Sequence, residues 1–246
     1  MELLSEEGFR IDGRKVNEIR RLSCRLGIFD RADGSAYVEL GNTRVIASVH
    51  GPHDIRGSRS GGGSSSKGSE EKAAISCQYS MATFSTSDRK KRPRGDQRSI
   101  EITNNLKQVF ESAILTELYP HSQIDIHLEV IQSDGSNYAA CVNAASLAII
   151  HAGIPIKDIV CACSSGFING KPITDVNYIE ESVSTTPIMT IAMLPKDKQI
   201  LSMESSGKIH IDNLNDVMAA AIEGSKDVLS IMKQAILSHI QELKGS

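Results

Sequence analysis

The sequence predicts an α+β fold built from two similar halves, each a set of strands followed by a helix. Three observations carry this expectation. Runs of strict apolar/polar alternation are separated by Gly, Asn and Asp turns, as in Ile124-Asp-Ile-His-Leu-Glu-Val-Ile131. Two stretches with helical spacing close the halves, from about Gln97 to Leu118 and from about Asn213 to Lys244. Between the halves, residues 129–153 read as a strand that turns sharply into an alanine-rich helix.

The chain has 246 residues, enough to bury a core without disulfides or metals as staples. Its hydrophobic fraction of 40% and charged fraction of 23% are those of a globular protein. No apolar run reaches the roughly 20 residues of a membrane span. The acidic start Met1-Glu-Leu-Leu-Ser-Glu-Glu-Gly8 does not resemble a secretory signal. A net charge of −3 excludes a generally basic nucleic-acid binder, so any RNA contact must come from a local patch. Five cysteines without paired spacing suit a reducing compartment. Cys161-Ala-Cys163 sits in an apolar run and reads as two structural thiols rather than a metal pair.

In order, Leu22–Ile28 is the first expected strand. Asp33-Gly34 and Gly41-Asn42 then turn into Ser35–Leu40 and Thr43–His50, an antiparallel meander that Gly51-Pro52 ends. Residues 56–72 form a flexible Gly/Ser-rich insert between two strands. Ala73–Met81 resumes the sheet. The run 88–98 holds six basic residues against two acidic, and Asp96 is placed to cap the first helix, which Pro120 closes.

In the central joint, Gln132-Ser-Asp-Gly-Ser136 is turn chemistry, with Asp134 or Ser136 able to cap the helix that follows. Ala139, Ala140, Ala144, Ala145 and Ala148 leave room on that helix for a close neighbour. Such a joint aims free N–H groups and the positive dipole end at one point, a natural anion site. Strands follow at 158–167 and 171–175 through Asn169-Gly170, then at 187–194, 199–203 and 208–211. Asn213 caps the last helix.

Three features outline a site: the turn at Gly135, Arg98 on the first turn of its helix, and the acidic segment Asp175-Val-Asn-Tyr-Ile-Glu-Glu181. A cation and free N–H groups could hold a phosphate there, with a carboxylate to protonate a leaving oxygen or recruit Mg²⁺.

These pieces, with Arg10-Ile-Asp-Gly-Arg14, residues 32–42, Phe84–Lys91, Arg98–Ile102, Gln132–Gly135 and Asp158–Ser164, resemble the RNase PH family. Within it the chain is similar to the ring subunits of the eukaryotic RNA exosome. The resemblance covers nearly the whole chain and implies a single RNase PH-type domain over 1–246, with mixed and antiparallel sheets. It implies a heterodimer with another RNase PH-like subunit, inside a six-membered ring around an RNA-threading pore. It further implies cap subunits, a separate hydrolytic RNase subunit and single-stranded RNA as partners, with no membrane and no cofactor or metal. The expected location is nucleus and nucleolus, and also cytoplasm.

Active members of the family carry Asp-Gly-Gly-Thr-Arg at the central turn and a serine three residues on, which with an earlier arginine bind the attacking orthophosphate. Here the earlier arginine is matched by Arg98, and Gly135, Ser136 and Asn137 keep the turn. Tyr138 stands at the arginine position and Cys141 at the serine position. Asp175 matches the first catalytic aspartate, and Glu181 replaces the second. A charge-assisted hydrogen bond is worth about 1.5–3 kcal/mol, and one oriented charge-stabilising group about 10²–10³ in rate. Losing both removes about four decades if the effects roughly add. The resemblance therefore implies a vestigial phosphorolytic site. For RNA it implies a grip from Arg98 with Arg89, Lys90, Lys91, Arg92 and Arg94, and from Arg56 and Arg59 at the pore entrance.

Overall fold

The computed structural model describes residues 3–5, 7–54, 72–86, 96–182 and 186–245. Apart from Lys72, the 56–72 insert lies outside these residues. So do Arg56, Arg59, Arg89, Lys90, Lys91, Arg92 and Arg94.

The expected meander forms as β1 (Leu22–Leu26), β2 (Gly34–Leu40) and β3 (Thr43–Asp54), each antiparallel to the next. After β4 (Ala74–Met81), helix α1 (Gln97–Ala113) crosses back to β5 (Ser122–Gln132), which lies between β3 and β4 and parallel to β4. The five-stranded sheet therefore has the order β1-β2-β3-β5-β4. The second half holds β6 (Cys161–Ile168), β7 (Lys171–Thr174), β8 (Ile188–Leu194) and β9 (Gln199–Ser206), an antiparallel sheet of order β7-β6-β8-β9. Both residues of the Asn169-Gly170 turn have positive φ, 49° and 79°, as a two-residue type I′ hairpin requires.

Helix α2 (Asn137–His151) touches both sheets, and residues 138–149 are all buried. Its alanines explain how: a helix enclosed on every side needs a thin girdle. The approach is closest at Gly34, where a Cβ would stand 2.2 Å from the Ala148 carbonyl oxygen. Gly34 is thus a packing residue at the start of β2 as well as part of a turn signal. Asn143 secures the other side by exchanging two hydrogen bonds with the backbone of Ala162 in β6, at 2.8 and 3.0 Å. One apolar cluster runs through both halves, from Leu22, Val45 and Ile126 through α2 to Ala192 and Met232. The alternation read in 124–131 holds: Ile124, Ile126, Leu128 and Val130 are buried, while Asp125, His127 and Glu129 face outward.

Several boundaries differ from expectation. β3 continues through a cis Gly51-Pro52 bond to Asp54, because His53 and Asp54 find partners in Gln123 and Ser122 beyond a bulge. α1 ends at Ala113 rather than Leu118. Ile114 is extended, bridges Ile156 and buries its side chain, and a 3-10 turn over Thr116–Leu118 follows. Tertiary pairing thus overrides helix propagation there. Residues 208–211 form no strand. Helix α4 (Ile211–Gly245) begins at Ile211, with Asn213 inside its first turn, and spans about 52 Å. Asp96 and Ser136 stand at the N-caps of α1 and α2, but neither side chain makes a capping bond.

Candidate functional site

A cleft of about 360 Å³ opens where the two halves meet. Arg98 and Ser99 line it from the first turn of α1, and Ser136, Asn137 and Tyr138 from the N-terminus of α2. Glu181 lines it from the short helix α3 (Tyr178–Ser182), and Glu204 from β9. The structure thus brings Arg98, Ser136, Asn137, Tyr138 and Glu181 to one place. Gly135, Cys141 and Asp175 do not reach the cleft wall.

Asp175 instead sits behind the wall, 2% exposed, in a bed of donors. Arg20 Nε and Nη2 donate to its two carboxylate oxygens, each at 2.8 Å, and the Arg20 backbone N–H adds a third bond of 2.8 Å. Arg14 approaches at 3.4 Å. Burial works against the Asp175 charge. The hydrogen bonds and charge of Arg20, with Arg14 behind, overcome it and hold the carboxyl below its usual range. The same guanidinium donates to the carbonyl of Asp134 at 2.6 Å and lies 3.3 Å from that of Gly135. Arg20 therefore ties the β5–α2 turn to the β7–α3 segment. Sequence reading placed Asp175 at the reacting centre and missed Arg20. In the structure both of its carboxylate oxygens are engaged by Arg20, and Asp175 is not among the residues lining the cleft.

A second buried lock stands beside it. Arg10 pairs with Glu180 through two side-chain contacts, both side chains fully buried, and donates to the carbonyls of Thr174 and Asp175. Glu180 also accepts from the Asn177 backbone N–H at 3.0 Å, while Asn177 Oδ1 accepts from the Glu180 N–H at 2.9 Å. This is a reciprocal capping box, and its Asn-x-x-Glu spacing was readable in the sequence. It explains the Arg10–Arg14 segment physically: the N-terminal loop holds the acidic segment in place.

Ser136 does not cap α2 because its residue is left-handed (φ 55°) and its hydroxyl points backward. That oxygen lies 2.7 Å from the Val176 carbonyl and 3.1 Å from Asp175, and it also contacts the Ser164 hydroxyl. The first N–H groups of α2 are left without such a cap, the arrangement that favours an anion. Tyr138 follows at once. Its ring is largely buried, and its hydroxyl leans toward Ser202 Oγ of β9 at 3.4 Å. Burial raises its pKa, so it offers one neutral donor, directed at Ser202.

Cys141 lies one turn further along α2, fully buried, and burial pushes its thiol up well beyond the usual range. Such a thiol is neither exposed nor ionised, so it cannot meet a bound anion. Cys161 and Cys163 are likewise buried in β6, with burial pushing Cys161 up to about 12, and they read as packing residues.

The remaining charges on the wall are unequal. Among the described residues lining the cleft, Asp96, Glu181 and Glu204 face a single cation, Arg98. Burial raises the pKa of Glu181, and Arg98 and Arg20 only partly oppose this. An anion entering here meets one guanidinium and helix amides, but also three carboxylates.

A two-sheet fold that encloses an alanine-rich helix, with a turn-and-arginine cleft between its halves, defines a class. The chain belongs to the 3′ exoribonuclease (RNase PH) family: the model for domain 1 of that family matches residues 18–155 and the model for domain 2 matches residues 158–224. Among its relatives, the exosome complex component RRP41 of Mus musculus is 48% identical over 246 residues, covering 100% of this chain and 98% of the relative. The exosome complex component Rrp41 of the archaeon Methanopyrus kandleri is 38% identical, covering 95% and 94%. Among solved structures, rice Rrp46 superposes with a TM-score of 0.77 at 24% identity, covering 91% of this chain and 98% of that one. A chain of the Archaeoglobus fulgidus exosome with RNA bound to the active site also gives 0.77, at 19% identity, covering 91% and 92%. At these identities the superpositions speak to the fold alone.

Proposed function

We propose that this chain is a structural and RNA-channel subunit of an RNA exosome core ring, with a phosphorolytic site that no longer turns over. The observation that carries this reading is the cleft wall itself. Tyr138, at the position where the family resemblance expects an arginine, leans on Ser202, and among the described residues lining the cleft three carboxylates face the single guanidinium of Arg98. Phosphorolysis needs a positively charged cradle for orthophosphate, and a neutral phenol beside Glu181 and Glu204 does not supply one. Kinship with proteins named exosome complex components supports ring assembly for this chain.

In this reading the chain forms a heterodimer with another RNase PH-like ring subunit. Together with cap subunits, the ring guides single-stranded RNA to a separate hydrolytic RNase subunit. The work belongs to rRNA processing and RNA turnover, in nucleus, nucleolus and cytoplasm. Arg98, at the open edge of the cleft, contacts the RNA backbone without reading its sequence. The competing reading, an active phosphate-dependent 3′→5′ exoribonuclease, draws on family membership and on Arg98 and Glu181 still facing the cleft.

Arg98→Glu tests the channel role. Arg98 is exposed and makes no hydrogen bond or ion pair among the described residues, so the fold should not depend on it. The variant should enter the ring normally yet protect RNA less well from nuclease digestion in the assembled complex. The deficit should be several-fold and should shrink as salt rises, as expected for a lost phosphate contact. Unchanged protection in a normally assembled ring would defeat the channel role.

A further inference from the structure

Two aromatic rings at the mouth of the cleft are left largely in water. The chain holds five phenylalanines and five tyrosines, and the two most exposed of them both stand here, Phe84 at 71% and Tyr178 at 50%. One exposed ring means little, but a pair at one cleft calls for a physical reason. Tyr178 lines the cleft from the start of α3. Its backbone is held twice. The Asn177–Glu180 capping box encloses it, and a Cβ on Gly135 would lie 2.7 Å from its nitrogen. Phe84 stands on a turn over residues 82–85, closed by the Ser85 N–H donating to the Ala82 carbonyl at 3.0 Å. The Ser85 carbonyl accepts from the Ser133 N–H at 2.9 Å, and Ser133 lines the cleft, so this turn is pinned to the wall.

We propose that the cleft mouth is a base-stacking subsite for single-stranded RNA, in which unpaired bases lie on Tyr178 and Phe84 while the backbone stays outside beside Arg98; this rests on the RNA-channel role. Charge decides which part of the strand enters. Asp96, Glu181 and Glu204 on the wall repel a phosphate but not a neutral base. Every base has a π-face, so a platform of this kind grips the strand without reading its sequence. Anchored backbones lower the cost of ordering the two side chains when RNA binds. The stack uses the face of the ring, so the Tyr178 hydroxyl is dispensable.

The test uses the ring assembled with the full chain, its hydrolytic subunit left out, and a short single-stranded RNA carrying 2-aminopurine. The fluorescence of that adenine analogue falls when it stacks. Tyr178→Ala and Phe84→Ala should each weaken RNA binding by about tenfold and restore fluorescence. The deficit should persist as salt rises, unlike that of Arg98→Glu. Tyr178→Phe should behave as wild type. So should Phe29→Ala, which removes an exposed ring outside the cleft, between β1 and β2. Wild-type binding and quenching in either alanine variant would overturn the proposal. If Arg98→Glu still weakens binding in that case, the channel role survives without the subsite; if Arg98→Glu is silent as well, both fall. Tyr178→Phe weakening binding as much as Tyr178→Ala would also overturn it, by pointing to the hydroxyl. Failure of either alanine variant to enter the ring would overturn it too, marking the two side chains as subunit contacts.

Discussion

Arg20→Ala is expected to lower the folding stability by about 3–5 kcal/mol, the range for removing one partner of a buried ion pair. The reason is what it leaves behind. Asp175 is enclosed and loses both side-chain bonds from the guanidinium, while the Asp134 carbonyl loses its guanidinium donor and that of Gly135 keeps its bond from the Thr43 hydroxyl. Arg14, 3.4 Å away, is too poorly placed to substitute. The loss should be read by denaturant unfolding at neutral pH, and a change below about 1 kcal/mol would show that the pair is not a keystone.

The pH dependence follows from the same geometry. The folded-state pKa of Asp175 is depressed, so its contribution is fully present above the unfolded value of about 3.9 and is lost as pH falls through the folded one. Wild-type stability should therefore fall steeply on acidification below about pH 4. In Arg20→Ala that acid limb should flatten, because the carboxylate no longer gains from staying charged.

Gly135→Ala should cost about 3 kcal/mol, a strained backbone plus a clash that cannot be relieved by turning a side chain. Gly135 has a φ of +81°, and a Cβ there would lie 2.6–2.7 Å from backbone atoms of Val176, Asn177 and Tyr178. The methyl group must push the β5–α2 turn away from the segment leading to α3. That movement would also shift Glu181 relative to Arg98, since each stands on one side of the displaced contact. Unfolding midpoints compared with wild type measure the effect. Stability within about 0.5 kcal/mol of wild type would show that the two segments are not pressed together.

The parts of the fold that could be read from sequence are those governed by local pattern. Alternation in 124–131, alanines in 139–148 and the Asn169-Gly170 turn each name their structure, because the residues that decide it are neighbours in the chain. The helix end at Ala113 was hidden because Ile114 is captured by Ile156. The cleft was legible in outline, since Arg98, residues 136–138 and Glu181 all line it. The direction of Asp175 was not legible. It is set by Arg20, 155 residues away, and nothing in the segment 175–181 signals whether its first acid faces the cleft or the interior. Cys141 was hidden for a related reason: one helical turn beyond a cleft residue lies the enclosed middle of α2.

The central claim is that a cleft with Tyr138 in place of a cation forms part of an RNA passage but does not run phosphorolysis. The most direct measurement is release of nucleoside diphosphates when the ring assembled with this chain, and with its hydrolytic subunit left out, is incubated with RNA and orthophosphate. The expected result is no phosphate-dependent release above the background of a ring carrying Arg98→Glu and Glu181→Gln in this chain. Release that requires phosphate, and that vanishes in the doubly substituted ring, would contradict it.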